Sequence, residues 1–337
     1  MREFRLPRPA EPTFPIRLLA LDIDGTIVGD DLVIGPRTRA AVREATRRGV
    51  VVSLVTGRMV SSAMRFAREL ELHAPVVGYQ GGLIREMPEP GSRRLGRLLV
   101  HRPLPAATAR EVVRWTREHG LDPHVNHLER FMVRADDPRT AEFNAFMGAR
   151  AELVPDILAA IRHAVTKIMA VGEPPHPSSV ARAAQEQFAG RADVTISHPR
   201  FLEFVAPGVS KGRAIRFLAR RLNVPLGATM AIGDQWNDLE MLSEVGHGTA
   251  MPTAPREVRA IARYVAPPLA DEGAAEMIEA LVLSEPRRAR RASEALAAAA
   301  REALEPADAT EVAARRRATA AEATDATRAD ESPMARR

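Results

Sequence analysis

Short apolar runs alternate with amphipathic stretches through the first quarter of the chain. Residues 16–23 (broken by Arg17), 50–55 and 75–79 read as buried strands, and residues 36–48 and 60–70 between them read as helices. Alternation of this kind predicts a parallel sheet with helices on both faces. Pro36 suits a helix start and Gly49 a helix stop. The same rhythm returns at 211–222, 228–232, 238–244, 261–265 and 273–283. The texture changes between the two halves. Strands are expected at 98–101, 131–134, 167–172, 194–198 and 201–205, with helices at 106–119, 137–147 and 177–188. The pattern therefore predicts a discontinuous α/β core, residues 16–85 and 206–283, carrying an inserted α+β domain over 86–205. Residues 1–15, with Arg, Glu and three prolines before Phe14, read as a flexible leader. Residues 284–337 are Ala, Arg, Glu and Thr with almost no large apolar side chains. They are expected to be disordered or partly helical and to lie outside the catalytic unit.

The strand at 16–23 ends in Asp22-Ile23-Asp24-Gly25-Thr26. Two carboxylates leaving one strand end together are costly unless a cation or a proton compensates them. In an open α/β sheet this is where ligands bind. The plain alternative is a turn, since Asp and Gly commonly follow strands. An EF-hand loop is excluded, because its sixth and twelfth positions, which need Gly and Glu, hold Ile27 and Val33. Three further segments stand at strand ends or helix starts: Thr56-Gly57-Arg58, Val209-Ser210-Lys211-Gly212 and Gly233-Asp234-Gln235-Trp236-Asn237-Asp238. Each is weak alone; the last could be only a helix start with an acidic first turn. Their order and placement make the set strong.

With these four segments the chain resembles the haloacid dehalogenase (HAD) superfamily, and within it the Cof-type (IIB) phosphatases, over about residues 16–283. Phe201-Leu202-Glu203-Phe204 and Asp271-Glu272-Gly273 match that subfamily as well. One departure is visible: Gln80-Gly81-Gly82 stands where the family usually has Asn-Gly, which puts a substrate contact in question. The resemblance implies a HAD-like Rossmannoid core with a C2-type cap over 86–205. It also implies a phosphomonoester hydrolase working through an aspartyl-phosphate. Asp22 is then the nucleophile and Asp24 the general acid and base. Thr56 and Lys211 would hold the phosphoryl oxygens, with Gly57, Arg58 and Asn237 as substrate-binding residues. Arg58 is equally a candidate for a structural ion pair. Mg²⁺ is the expected cofactor, held by Asp22, the Asp24 backbone carbonyl and Asp234, with Asp238 behind them. The expected partner is a small phosphorylated metabolite, such as a sugar phosphate or a phosphorylated cofactor. The same nucleophile could serve a phosphotransferase or phosphomutase, and the same pocket a non-catalytic phospholigand sensor. In the inserted domain, His124, Asn126, His127, Glu129 and Arg130 form a polar cluster that could face the cleft. Lys167 is placed on a cap strand and is given no catalytic role.

Composition narrows the alternatives. The 337 residues contain no cysteine, so disulfides and thiol chemistry are excluded. No apolar run approaches a membrane span, and the cytoplasm is the default location. A pI near 10.4 invites a nucleic-acid reading. The formal charge is only +5, aromatics make up 4%, and the basic clusters at 287–291 and 315–317 sit among acidic residues, so no nucleic-acid partner is expected. Any partner of the tail is left undefined. Of the 48 basic residues only Lys167 and Lys211 are lysines. A chain that writes Arg nearly everywhere keeps Lys in its third motif, where a point charge differs from a planar fork.

Overall fold

A computed structural model describes residues 9–304 except 90, 93, 138 and 139. The strands, in chain order, are β1 (Leu18–Leu21), β2 (Val51–Leu54), β3 (Val76–Gly78), β4 (Leu83–Arg85), β5 (Leu98–His101), β6 (Asp122–His127), β7 (Arg130–Arg134), β8 (Glu152–Val154), β9 (Lys167–Val171), β10 (Asp193–His198), β11 (Phe201–Val205), β12 (Thr229–Gly233), β13 (His247–Ala250) and β14 (Tyr264–Val265). The core sheet runs β14-β13-β12-β1-β2, every pair parallel. A parallel sheet is covered on both faces, which is why its central strands are continuous apolar runs. Leu19 and Leu21 of β1 enter one hydrophobic cluster and Leu18 and Ala20 the other, the two-residue period of a strand between two helix layers.

Local chemistry fixes how the helices meet this sheet. The helix Pro36–Arg47 begins with proline, whose missing N–H costs nothing there. The Glu272 carboxylate accepts from the Thr38 and Arg37 amides at 2.6 and 3.2 Å, placing a negative charge at the positive helix end. The helix ends at Gly49, whose φ of +82° suits glycine. The helix Lys211–Arg221 starts from Ser210, whose hydroxyl accepts from the Arg213 amide at 3.1 Å.

The chain leaves the core through the antiparallel sheet β3-β4-β5. It then builds a six-stranded sheet, β10-β11-β9-β6-β7-β8, antiparallel except for β7–β8. One face of this sheet packs Val125, Ile168, Ala170, Leu202 and Phe204 with Trp115 and Phe188. By the alternation of a strand, His124, Asn126, Lys167, Met169, Phe201 and Glu203 occupy the other face. Of these, Lys167, Met169, Phe201 and Glu203 meet the core across a cleft.

Several elements depart from the expectation. Strand β6, sequence Asp-Pro-His-Val-Asn-His, lacks the apolar run that signals a buried strand, and pairing with β9 and β7 supplies what propensity does not. Strands β4, β8 and β13 are likewise short or poor in large apolar residues. The expected strand at 261–265 shrinks to β14, because Arg256–Ile261 is helical. The flexible leader does not describe residues 9–15. The Ala10 and Thr13 amides donate to Glu244 and Gly227 carbonyls at 3.3 and 2.8 Å, and Phe14 packs edge-on against His247. Residues 1–8 lie outside the described residues.

The tail is partly helical, as expected, but its helix packs on the core. Pro286–Glu302 is a helix with Ala289, Ser293 and Ala300 buried, and Ala292, Leu296 and Ala297 packed on the core cluster. These positions recur at helical spacing, and small residues let the helix approach closely. The Ser293 hydroxyl lies 2.6 Å from the Tyr264 hydroxyl on β14. The expectation of a tail outside the catalytic unit does not hold for this helix, because a stripe of alanines and one leucine suffices to pack it; residues 305–337 lie outside the described residues. Ending the chain after Leu283 is therefore expected to cost about 2 kcal/mol and lower the melting temperature by roughly 5 °C. Differential scanning calorimetry of the shortened protein checks this; an unchanged melting temperature would mean the helix contributes nothing to stability.

Candidate active site

The four motifs converge at the carboxyl ends of β1, β2 and β12, the position open α/β sheets use for ligands. Asp22 follows β1 directly and is buried. Its Oδ1 lies 3.0 Å from Lys211 Nζ, and Lys211 also reaches Asp238 Oδ1 at 2.6 Å. Lys211 is fully enclosed. Asp238 Oδ2 accepts from the Asp234 and Gln235 amides, each at 3.0 Å. Asp238 is thus occupied by three donors, and it shapes the Asp234 loop and anchors Lys211. Gly25, φ +73°, passes so close to Asp234 that a Cβ there would lie 2.2 Å from Asp234 Oδ2. Only glycine permits that approach.

Asp24, two residues beyond Asp22, is half-buried. Arg58 grips its carboxylate with two hydrogen bonds, Nε to Oδ2 at 2.7 Å and Nη2 to Oδ1 at 2.5 Å. Of the two roles open to Arg58, the geometry displays the ion pair, and its partner is the expected acid-base residue. Thr56 is buried and lines the cleft, and its Oγ1 accepts from the Arg58 amide at 3.2 Å. Gly57 is pressed against Gln80, whose Nε2 would meet a Cβ at 2.4 Å. Asn237 donates through Nδ2 to Gln80 Oε1 at 3.0 Å, while its Oδ1 is buried without a protein partner.

The inserted domain closes the other side. Lys167, Met169, Ser197, His198, Phe201 and Glu203 line the cleft opposite Asp22, Asp24 and Thr56. The sequence did carry a signal for two of them: Lys167 and Glu203 are charges inside otherwise apolar strands, a placement that needs a partner. They pair with each other at 2.7 Å, and Lys167 also donates to the Gly57 carbonyl at 2.7 Å. The His124–Arg130 cluster does not line this cleft. His124 is buried against Asp137 and Phe143, Glu129 accepts from the Ser61 amide and Arg85, and Arg130 pairs with Glu152 on the surface. His124 and His127 belong to β6.

Burial and close charges perturb the carboxyl groups of the site. Burial pushes the Asp22 carboxyl up to about 7; Lys211 opposes this, while Asp238 and Asp24 add to it. Asp234 is held well above the usual carboxylate range by burial, then by Asp22 and Asp238. Burial alone would lower Lys211, but Asp22 and Asp238 outweigh it and raise it. Among the described residues, Asp22, Asp24, Asp234 and Asp238 share two ion-paired cations, Lys211 and Arg58. Ligand atoms of Asp22, Asp234 and Asp238 lie within 4.8 Å of one another. Asp234 Oδ1 is buried without a donor, as a hard cation's ligand would be. The residues fit a divalent cation with oxygen ligands.

Residues 19–278 match the family model of the haloacid dehalogenase-like hydrolases. The chain belongs to that family, in its Cof-type branch. Among relatives of these HAD-like hydrolases, a putative phosphatase of Streptococcus pyogenes serotype M6 is 28% identical over 277 residues, 80% of this chain and 99% of that protein. The HMP-PP phosphatase of Serratia proteamaculans is 30% identical over 251 residues, 73% of this chain and 87% of that one. A haloacid dehalogenase-like hydrolase from Bacteroides thetaiotaomicron superposes with a TM-score of 0.68 at 25% identity, covering 79% of this chain and 99% of that chain. Among the described residues no helix is long and apolar enough to cross a membrane.

The raised Asp22 carboxyl has a measurable sign. Between its ordinary value of 3.8 and about 7 the folded protein holds a proton that the unfolded chain releases. Stability from this group is full below the unfolded value and is lost as pH rises through about 7. Metal-free protein is therefore expected to lose stability relative to Asp22→Asn over this window, and Mg²⁺ should offset the loss. Denaturant midpoints of both proteins from pH 4 to 8, with EDTA and with Mg²⁺, check it; a pH-independent difference would contradict the assignment.

Proposed function

We propose that the protein is a Mg²⁺-dependent phosphomonoester hydrolase that acts on a small phosphorylated metabolite through an aspartyl-phosphate at Asp22. The observation that carries this is Asp22 held 3.0 Å from a buried ammonium at the floor of a cleft, with a second carboxylate two residues on. Kinship with phosphatases supports the reaction class. Lys211 opposes the burial that raises Asp22 and so favours the carboxylate, the nucleophilic form. An Asp22 oxygen attacks phosphorus and the bond to the ester oxygen breaks. Asp24 gives its proton to that leaving oxygen. Water then attacks phosphorus, Asp24 takes the water's proton, and the Asp22–phosphorus link breaks to release phosphate. Thr56 and Lys211 donate to the phosphoryl oxygens. Asp22, Asp234 and the Asp24 carbonyl would hold Mg²⁺, with Asp238 behind them. Bound there, Mg²⁺ supplies positive charge to the phosphoryl oxygens.

Arg58 grips the Asp24 carboxylate with two hydrogen bonds, and the incoming phosphate is a rival anion for Arg58. The cleft measures about 40 Å³, room for about three waters, so substrate entry requires the inserted domain to lift. Choice among leaving groups then falls to Met169, Ser197, His198 and Phe201 rather than to the His124–Arg130 cluster.

Phosphate release from a panel of phosphomonoesters, with HMP-PP included because a relative carries that name, tests the reading with and without Mg²⁺. Saturating acceptor alcohol separates hydrolysis from transfer. Asp24→Asn should lose roughly 10²–10⁴-fold in kcat on an ester with a poor leaving group while Mg²⁺ affinity stays near that of the parent. Unchanged turnover would remove Asp24 from the mechanism.

A further inference from the structure

Gln80 sits in a left-handed turn, φ +60°, wedged between core and inserted domain. Its amide N–H donates to the Thr56 carbonyl at 3.1 Å, and its side chain covers Gly57. The neighbouring Tyr79 hydroxyl donates to the Leu128 carbonyl across the cleft. A residue with a side chain in this conformation is strained, and such strain persists where the surroundings demand it.

We infer that Gln80 is a positioning residue that fixes which end of the Asn237 amide meets the cleft, and that the Lys167–Glu203 pair of the inserted domain orients Gln80. Glu203 Oε1 accepts from Lys167 at 2.7 Å and from the Ser197 hydroxyl at 2.8 Å. Beside an ammonium, Glu203 is a carboxylate and only accepts. The group 2.6 Å from its Oε2 must therefore be the Gln80 NH₂. Gln80 then turns its oxygen to Asn237, and Asn237 must answer with its own NH₂ at 3.0 Å. What remains for the cleft is Asn237 Oδ1, buried and without a protein partner. The orientation of both amides follows from this relay of donors and acceptors. Asn237 thus offers an acceptor. It receives a water or a hydroxyl, and it turns away a phosphoryl oxygen, which Thr56 and Lys211 serve. This role rests on the phosphatase reading above.

The relay has a polarity that can be reversed. In Glu203→Gln the new NH₂ faces Gln80, so Gln80 and Asn237 both flip and a donor enters the cleft. In Gln80→Glu two carboxylates face each other. In the double variant Gln80→Glu/Glu203→Gln every hydrogen bond returns, net charge is conserved, and Asn237 again presents its oxygen. The three variants and the parent are assayed on p-nitrophenyl phosphate with Mg²⁺, well below their melting temperatures. We expect each single variant to lose at least about tenfold in kcat/KM and the double to recover to within about threefold. A side chain that merely fills space predicts a double variant no better than the worse single, and that result, or a fully active Glu203→Gln, overturns the inference. Should a single variant fail to fold, the activity of the double decides. If the parent itself releases no phosphate from any ester, the hydrolase reading fails. Denaturant midpoints of the same proteins still read the relay, with Gln80→Glu destabilised and the double restored.

Discussion

The enclosed ammonium of Lys211 between Asp22 and Asp238 joins β1, the helix Lys211–Arg221 and the loop after β12. A lone charge so deeply buried would cost several kcal/mol, and so would either carboxylate without it. Asp238 is a firm anchor because two backbone amides hold its other oxygen. Arg216 ties the same helix to Glu240 and Glu244 on the next one, so the ammonium cannot drift from its partners. The position of Asp22, and of the reaction assigned to it, depends on this contact. Beside this triad Asp234 Oδ1 is buried without a donor, an arrangement that suits a divalent cation.

The other lysine completes the picture from the opposite side. Lys167 pairs with Glu203 and donates to the carbonyl of Gly57, which binds the inserted sheet to the loop after β2. Both lysines are buried at the cleft, while arginine occupies every other basic position. A compact ammonium can be surrounded by acceptors from several directions, and a planar guanidinium cannot take that place. Arg58 shows the contrast: it holds one carboxylate, Asp24, with two parallel bonds. Point charges set the floor and roof of the cleft, and a fork holds the acid-base residue.

Much of the fold was legible because its elements announce themselves locally. Strands β1, β2 and β12 are apolar runs, and the helices between them carry Pro36, Gly49 and Ser210 at their ends. The floor of the candidate site was legible because motif and strand end coincide at Asp22, Thr56 and Asp234, and motif and helix start at Lys211. The inserted sheet was read less well. Strand β6 exists through its neighbours rather than its own composition, so no strand was expected at His124 and Asn126. The pairing of Gln80 with Glu203, 123 residues apart, leaves no mark in either local sequence. The packing of the helix Pro286–Glu302 was missed because several large apolar residues were sought, and it packs through alanines, a serine and one leucine.

The central claim is that Asp22 carries the phosphoryl group. Rapid acid quench of the enzyme during turnover, borohydride reduction and peptide mass spectrometry read it directly, because reduction turns an aspartyl-phosphate into homoserine. The account predicts homoserine at position 22, in substrate-treated protein only. Turnover without homoserine, or homoserine at another aspartate, would contradict it.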